Sequence, residues 1–448
     1  MTKTLKQRAT RSGSWVIFGH LTSQVLRLGS NLILTRLLVP EMFGVMAIVT
    51  VIMAGLAMFS DVGLLQNIVQ SKRGEEPDYL NTAWTIQIIR GFFIFFIALV
   101  SAVGLYYAGQ FGYLSEETVY GNTQLPFILA IVSISSVISA FNSIHILLLN
   151  RKLMLGKSVT IELLSQIAGL LFMLTWAWYQ RDIWALVFGG LVATLTKALL
   201  SHSLRLGERC RFCWDKRAVH EIFHFGKWIF LTSIFGFLLN QGDKLLLGSL
   251  ISSKDLGIYI VAFFLANAVK DIIMKLSSSV FFPVFSEIIR NNPEKIQLTY
   301  YSIKGKIDTV VVFVAGVLFY SGHHLVIFLY DDRYVEAGWM LEVLSLSLCS
   351  VGFMLAGQIF IAYGKSKLTS IMAISQVLGL YIFVPTLYLI YGIHGAVWAI
   401  ALNPMIRILV SIFLMKKYYF LKIYRELMII PIFVTGLMVG NFLNQILD

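Results

Sequence analysis

Charged residues are scarce: Asp, Glu, Lys and Arg make up 13% of the 448 residues, against about 25% in a soluble domain. That shortage excludes a water-soluble fold, because too little charge is available to cover its surface. Cysteine is short as well. Cys210, Cys213 and Cys349, the only three, provide no disulfide framework, and Cys349 reads as a small apolar packing residue. No glycine-rich phosphate loop of the P-loop type occurs, which argues against ATP hydrolysis. Acids number 24 against 36 Lys and Arg, a net charge of +12 at pH 7.

What is present is apolar, 57% of the chain. A membrane-spanning helix needs ~20 mostly apolar residues. Such stretches run almost end to end, at 14–38, 42–65, 80–105, 124–149, 156–178, 183–204, 226–251, 256–286, 307–330, 338–363, 368–391 and 394–415, with a thirteenth at 427–446. Lys3, Lys6, Arg8 and Arg11 imitate the basic start of a signal peptide. The stretch that follows is too long for one, contains Arg27, and has no small-residue cleavage site before Val39-Pro40. It reads as the first spanning helix.

With a cytoplasmic N-terminus, 25 of the 36 cations fall in cytoplasmic segments. Only Arg181, Lys254 and Arg333 fall in the opposite loops. This is the positive-inside bias. It accounts for the net charge through an anionic leaflet, without nucleic acid as a partner.

The chain also repeats itself. A shift of 213 positions lays Trp15 on Trp228, Gly29 on Gly242, Leu32 and Leu34 on Leu245 and Leu247, Leu37 on Leu250, and Gly44 on Gly257. A shift of 210 lays Gln166 on Gln376, Gly169 on Gly379, Lys197 on Arg407 and Ser201 on Ser411. Helices 1–6 therefore recur as helices 7–12 in the same orientation. The expected fold is an all-α polytopic membrane protein: two parallel six-helix bundles related by a pseudo-two-fold axis along the membrane normal, plus a thirteenth C-terminal helix. The expected domains are a lobe at 1–204, a basic cytoplasmic linker at 205–225, a lobe at 226–416, and an extension at 417–448. Transporters of this build bind substrate between the halves and expose it to each side in turn.

A charge at the bilayer centre costs ~2.5–3.5 kcal/mol on insertion scales, so it faces a bundle interior or a wet cavity. Arg27, Arg90, Lys197, Lys244, Lys270, Lys275 and Arg407 lie in predicted spans, with Asp61, Glu162, Asp243, Asp271 and Glu342. The cations Arg27, Arg90, Lys244, Lys270 and Arg407 are the candidate substrate-binding residues, because an excess of positive charge suits an anion and guanidinium grips phosphate bidentately. Asp61, Glu162 and Asp243 are the candidate coupling or gating acids. The competing reading for each is a helix-to-helix ion pair. His220-Glu221-Ile222-Phe223-His224 matches a zinc-protease helix, and Cys210-x-x-Cys213 precedes it. No third catalytic ligand follows at a recognisable spacing, and the segment reads as a basic amphipathic lead-in to helix 7, so neither catalysis nor a metal is expected.

Three short motifs resemble a known family. Arg36-Leu37-Leu38-Val39-Pro40-Glu41-Met42-Phe43-Gly44 resembles the helix 1–2 turn of polysaccharide transporters. Phe59-Ser60-Asp61-Val62-Gly63-Leu64 is similar to their F-x-D-x-G at the end of helix 2. Asn240-Gln241-Gly242-Asp243 with Leu247-Gly248, then Leu256-Gly257-Ile258-Tyr259, is similar to their helix 7–8 signature. These are the Wzx-type oligosaccharide flippases, in the superfamily of lipid II flippases and multidrug and toxin extruders. The resemblance runs from helix 1 to helix 12. It implies a non-enzymatic flippase of the bacterial inner membrane. The cargo would be undecaprenyl-pyrophosphate-linked oligosaccharide, moved to the periplasmic leaflet for capsule, O-antigen or exopolysaccharide, alongside a polysaccharide polymerase and assembly proteins. No cofactor is implied, and the coupling ion, H+ or Na+, stays open. The alternative is a cation-coupled multidrug or small-molecule antiporter of the same superfamily, which should carry acids rather than cations in its cavity.

Overall fold

The computed structural model describes residues 5–152, 154–204, 209–277, 281–417 and 421–447. Lys3 and Arg205, counted above among the cytoplasmic cations, lie outside the described residues, as do the side chains of Lys6, Arg8, Arg11, Lys227 and Trp228. All the regular structure among the described residues is helical, with no strand among them. They form α1 (Leu5–Leu37), α2 (Pro40–Phe59), α3 (Pro77–Gln110), the bent α4 (Leu125–Ala140 with His145–Arg151), α5 (Leu155–Tyr179), α6 (Trp184–Ser203) and α7 (Lys216–Leu250). Then come α8 (Ser253–Leu276), α9 (Ile296–Leu329), α10 (Ala337–Ala362), a run Ser366–Lys417 that holds α11 and α12, and α13 (Ile429–Leu447).

Among the described residues nine helices are long and apolar enough to cross a membrane, or ten with the bent pair. The Ser366–Lys417 run accounts for one more. Its 52 residues would stretch roughly 78 Å as one helix, more than twice a ~30 Å hydrocarbon core. The chain breaks at Gly392, whose φ of 61° and ψ of −146° suit glycine alone. A Cβ on Gly395 would strike the Leu387 carbonyl eight residues back, so the chain folds over there. α1 and α7 have the length but carry more polar residues. Each of the thirteen predicted stretches thus falls on a helix.

Two of the stretches differ in detail. The fourth is bent by 63°. The eighth stops at Leu276, and a separate amphipathic helix, Phe282–Asn291, follows it. Neither break interrupts the apolar run from which the stretch is read.

The chain divides into two compact units, Met1–Phe237 and Leu238–Asp448, with the boundary inside α7. In the first unit, Val39 is extended and Pro40 opens α2, where a missing N–H costs nothing. α3 shows the expected membrane dress. Ile89, Phe92, Phe93, Phe96, Val100 and Val103 are exposed along one side, while Gly91, Ile94, Ala98 and Ala102 are buried on the other. A helix apolar on all sides in this way suits lipid.

The segment expected to be a linker is docked along α3. Its backbone N–H groups at Arg211, Cys213 and Asp215 donate to Asn81 Oδ1, Thr85 Oγ1 and Thr82 Oγ1 at 3.0, 3.1 and 3.1 Å. Ala218 and Ile222 of α7 join a core with Leu64, Ile68, Tyr79 and Ala83. Arg73 closes the arrangement, reaching Asp215 and Glu76 at 2.8 Å and Glu221 at 3.3 Å. Its guanidinium holds the Asp215 carboxyl below the usual carboxylate range. Glu221, the centre of the zinc-like motif, therefore serves an ion pair with Arg73.

In the second unit α13 lies against α9. A Cβ on Gly316 of α9 would strike the Phe433 carbonyl, and one on Gly436 of α13 would strike the Phe313 carbonyl. Gly440 meets the Val317 carbonyl in the same way. Gly436-x-x-x-Gly440 is a small-residue stripe of the kind that lets helix backbones close up in lipid. Asn444 Nδ2 adds a 3.0 Å bond to the Tyr320 carbonyl.

The repeat has a packing counterpart. Gly169 of α5 meets the Cβ of Ala193 on α6, and Gly379 of α11 meets Asn403 and Ile406 of α12. Position 403 is 193 shifted by 210, so both units close their fifth and sixth helices at the same place.

Candidate functional site

The predicted charges separate into two groups. In the first unit Arg90 of α3 reaches the C-terminus of α2. Its Nε donates to Ser60 Oγ at 3.1 Å and its Nη2 to the Ala57 carbonyl at 2.6 Å. A cation there satisfies carbonyls that have no partner within the helix and complements the helix dipole. Asp61 lies close enough to act on Arg90 electrostatically, but its carboxylate accepts the Gly63 N–H at 2.9 Å. Gly63 is left-handed, with φ 64°. The F-x-D-x-G motif thus builds a turn: Ser60 takes the arginine, Asp61 holds the reversal, and Gly63 supplies the positive φ. Phe59 packs edge-on against Phe237 at 5.0 Å.

Arg27 and Glu162 are exposed in the unit as described. They sit one turn to either side of a polar pair joining α1 to α5, in which Ser23 Oγ donates to Gln166 Oε1 at 2.7 Å and Gln166 Nε2 to the Ser23 carbonyl at 3.2 Å. Gln166 was visible only as a repeat position, and the charges drew attention away from it.

The second unit gathers Asp243, Lys244, Lys270 and Arg407. Asp243 is buried and accepts the Tyr259 hydroxyl at 2.7 Å. The helix 7–8 signature is therefore a contact between its own parts, the acid on α7 and the tyrosine on α8. Gly242 lets Leu380 and Tyr381 of α11 come close. Lys244 Nζ donates to Gln241 Oε1 at 3.1 Å and lies 5.0 Å over the Phe263 ring. Lys270 Nζ donates to Asn267 Oδ1 at 3.0 Å. It lies within electrostatic reach of Asp243, Asp271, Lys244 and Arg407.

Arg407 of α12 lines a cavity of about 300 Å³ with Ser277, Gln358, Thr369, Met274 and Met372. Two buried atoms there have no hydrogen-bond partner, Arg407 Nε and Ser277 Oγ. A buried donor left unpaired costs ~1–3 kcal/mol, and the cost is greater for a charged group. Three cations and two acids leave the group with positive charge. Chemically it can hold an anion, with Arg407 as the donor that lacks a partner.

One polar cluster was missed altogether: Lys304 and Asp308 of α9 with Glu426, all buried. Lys304 stands just before the predicted span that begins at 307, and so reads in the sequence as one of the 25 cytoplasmic loop cations. The i,i+4 spacing of Lys304 and Asp308 was the signal that could have found it.

A family model described as "Polysaccharide biosynthesis protein" matches residues 33–339. The succinoglycan biosynthesis transport protein ExoT of Rhizobium meliloti (strain 1021) is 22% identical over 367 residues, covering 82% of this chain and 71% of that one. Among solved structures, an inward-facing multidrug resistance MATE transporter of the MOP superfamily superposes with a TM-score of 0.68 at 15% identity, covering 90% of this chain and 98% of its own. The lipid II flippase MurJ in an inward closed conformation gives 0.65 at 14% identity, covering 96% and 99%. These likenesses give the fold: an all-helical membrane protein of two six-helix halves, with α13 added. With the family model spanning most of its length on that fold, the chain belongs to the polysaccharide biosynthesis protein family, the Wzx-type polysaccharide transporters of the MOP superfamily.

Proposed function

We propose that the protein flips undecaprenyl-pyrophosphate-linked oligosaccharide from the cytoplasmic to the periplasmic leaflet by alternating access. The observation that carries this reading is the basic cluster of the second unit, where Arg407 Nε stands buried without a partner beside a cavity. A pyrophosphate offers several acceptor oxygens and at least two negative charges, and would satisfy Arg407 while meeting Lys270 and Lys244. Arg27, in the first unit, is a separate candidate for contact with the same cargo. The glycan needs shielding from lipid during passage, whereas the polyprenyl tail does not. In this reading the moving lobes are 1–204 and 226–416, with 417–448 carried on the second. Asp61, Glu162 and Asp243 remain the acids through which H+ or Na+ could couple. The antiporter alternative is weaker: its cationic cargo would need an excess of acid, and in this cluster the cations Lys244, Lys270 and Arg407 outnumber the acids Asp243 and Asp271.

Deleting the gene from its bacterium is expected to remove surface glycan and to accumulate the lipid-linked repeat unit. Normal surface glycan without accumulation would exclude the function. The orientation follows from the loop cations. A reporter fused near Lys216 should read as cytoplasmic and one near Glu116 as periplasmic, and the reverse pattern would overturn the assignment.

A further inference from the structure

Lys304, Asp308 and Glu426 are 1%, 5% and 2% exposed at their side chains. Lys304 Nζ pairs with Asp308 Oδ2 one turn on, lies 3.0 Å from Glu426 Oε2, and sits 4.1 Å over the Phe353 ring. Glu426 lies in the short turn Ile423–Glu426 that leads into α13. The cluster therefore joins the C-terminal helix to α9 at one end, while the glycine stripe joins them along their length.

The charges do not balance. One ammonium faces two carboxylates. Asp308 Oδ1 and both Glu426 oxygens are buried without a hydrogen bond, Glu426 Oε2 having only its ion pair with Lys304. A Cβ on Gly352 would occupy the space of Asp308 Oδ1, so the cavity is shaped around that carboxylate. The other titratable groups facing the triad do not supply the missing positive charge. They are Tyr300 and Tyr301 on α9 and Cys349 on α10, all neutral at neutral pH. Arg425 stacks over the rings of Tyr301 and Tyr424 rather than reaching a carboxylate. Lys422 presents its backbone N–H to the Tyr301 hydroxyl at 2.7 Å. A net buried charge is costly, and proteins in that position neutralise a group instead. Like-charged carboxylates in one site hold one proton between them.

We propose that Lys304, Asp308 and Glu426 form an exchangeable proton site that clasps the C-terminal helix to the second unit. A single proton enters, converting one of the two carboxylates to a neutral carboxyl. The remaining carboxylate pairs with the ammonium, and the site is neutral. Loss of that proton leaves a net negative charge inside the clasp and loosens the end of α13. The Tyr301 hydroxyl lies beside Glu426 and accepts the Lys422 N–H, so its own proton can point at Glu426, the member of the triad nearest the exposed turn. Neither this site nor its role depends on the glycan reading.

The test uses the purified full-length protein in lipid nanodiscs. At mildly acid pH, where unfolded carboxylates are ionised, the wild type should show the infrared carbonyl stretch of a buried protonated carboxyl, and both D308N and E426Q should lose it, because the carboxylate that remains pairs with Lys304. The folded state holds a proton that the unfolded chain releases. Stability should therefore be full at acid pH and fall as pH rises through the titration of the site. Each single amide should flatten that fall in Tm. The double variant D308N/E426Q strands the ammonium and should lower Tm by several degrees below either single variant. Absence of the carboxyl band from the wild type would overturn the proposal even if no variant folds. So would a band that survives both single substitutions, or single amides as unstable as the double.

Discussion

Gly316→Val is expected to prevent normal accumulation of the protein, or to leave a form whose C-terminal helix is open to protease. The position is buried in α9, and its missing side chain is what allows the backbone of α13 to lie against it. Ordinary overpacking costs ~1–3 kcal/mol, because side chains can change rotamer. Here the atom struck is the Phe433 carbonyl, and a backbone has no rotamer to change. Relief requires moving α13 away along its length, which separates Gly436 and Gly440 from their own contacts and pulls Glu426 from Lys304. The cost should exceed the usual range. Gly305→Val makes the control: it lies on the same helix, exposed, with nothing near its missing Cβ. Limited proteolysis after position 421 and yield from the membrane fraction read both variants. Equal yield and equal resistance would show that the close approach of the two helices is dispensable.

The legibility of the fold in the sequence has a physical basis. A bilayer imposes one length and one polarity on every span, so thirteen stretches announce themselves whatever their tertiary neighbours. The repeat was legible for a related reason: Gly169 and Gly379 do the same packing task in the two halves. Breaks within apolar sequence were not legible, and the bend of α4 is the example. The grouping of the candidate residues was legible only in part. Counting intramembrane charges found Lys244, Lys270 and Arg407, which do assemble. It also selects Arg90, whose donors go to the end of α2, because an arginine that caps a helix and one with an unpartnered donor look alike in a string. The Lys304 cluster escaped for the opposite reason. α9 extends from Ile296, eleven residues before the predicted span begins at 307, so a buried lysine was mistaken for a loop cation.

That contrast between Arg90 and Arg407 leads to the largest functional effect expected. Arg407→Ala should insert at normal level yet lower glycan export by more than about 100-fold. The estimate follows from two hydrogen bonds to a charged group at ~1.5–3 kcal/mol each, where 1.4 kcal/mol is a factor of ten. Folding should survive, because Arg407 Nε has no protein partner to lose, and removing the ion relieves a buried charge. Arg407→Lys should restore export only in part: the charge returns but the bidentate fork does not. Lysine itself is accommodated at the equivalent place in the first unit, Lys197. Arg90→Ala should behave differently. It removes the donor to the Ala57 carbonyl and Ser60 at the end of α2, so lowered Tm and yield should accompany any loss of export. Export would be compared at matched protein level by surface-glycan staining and by the pool of lipid-linked intermediate. If Arg407→Ala exports like wild type at equal abundance, the basic cluster of the second unit does not hold the substrate. If Arg90→Ala loses export with unchanged stability, Arg90 serves the transported substrate as well as the cap.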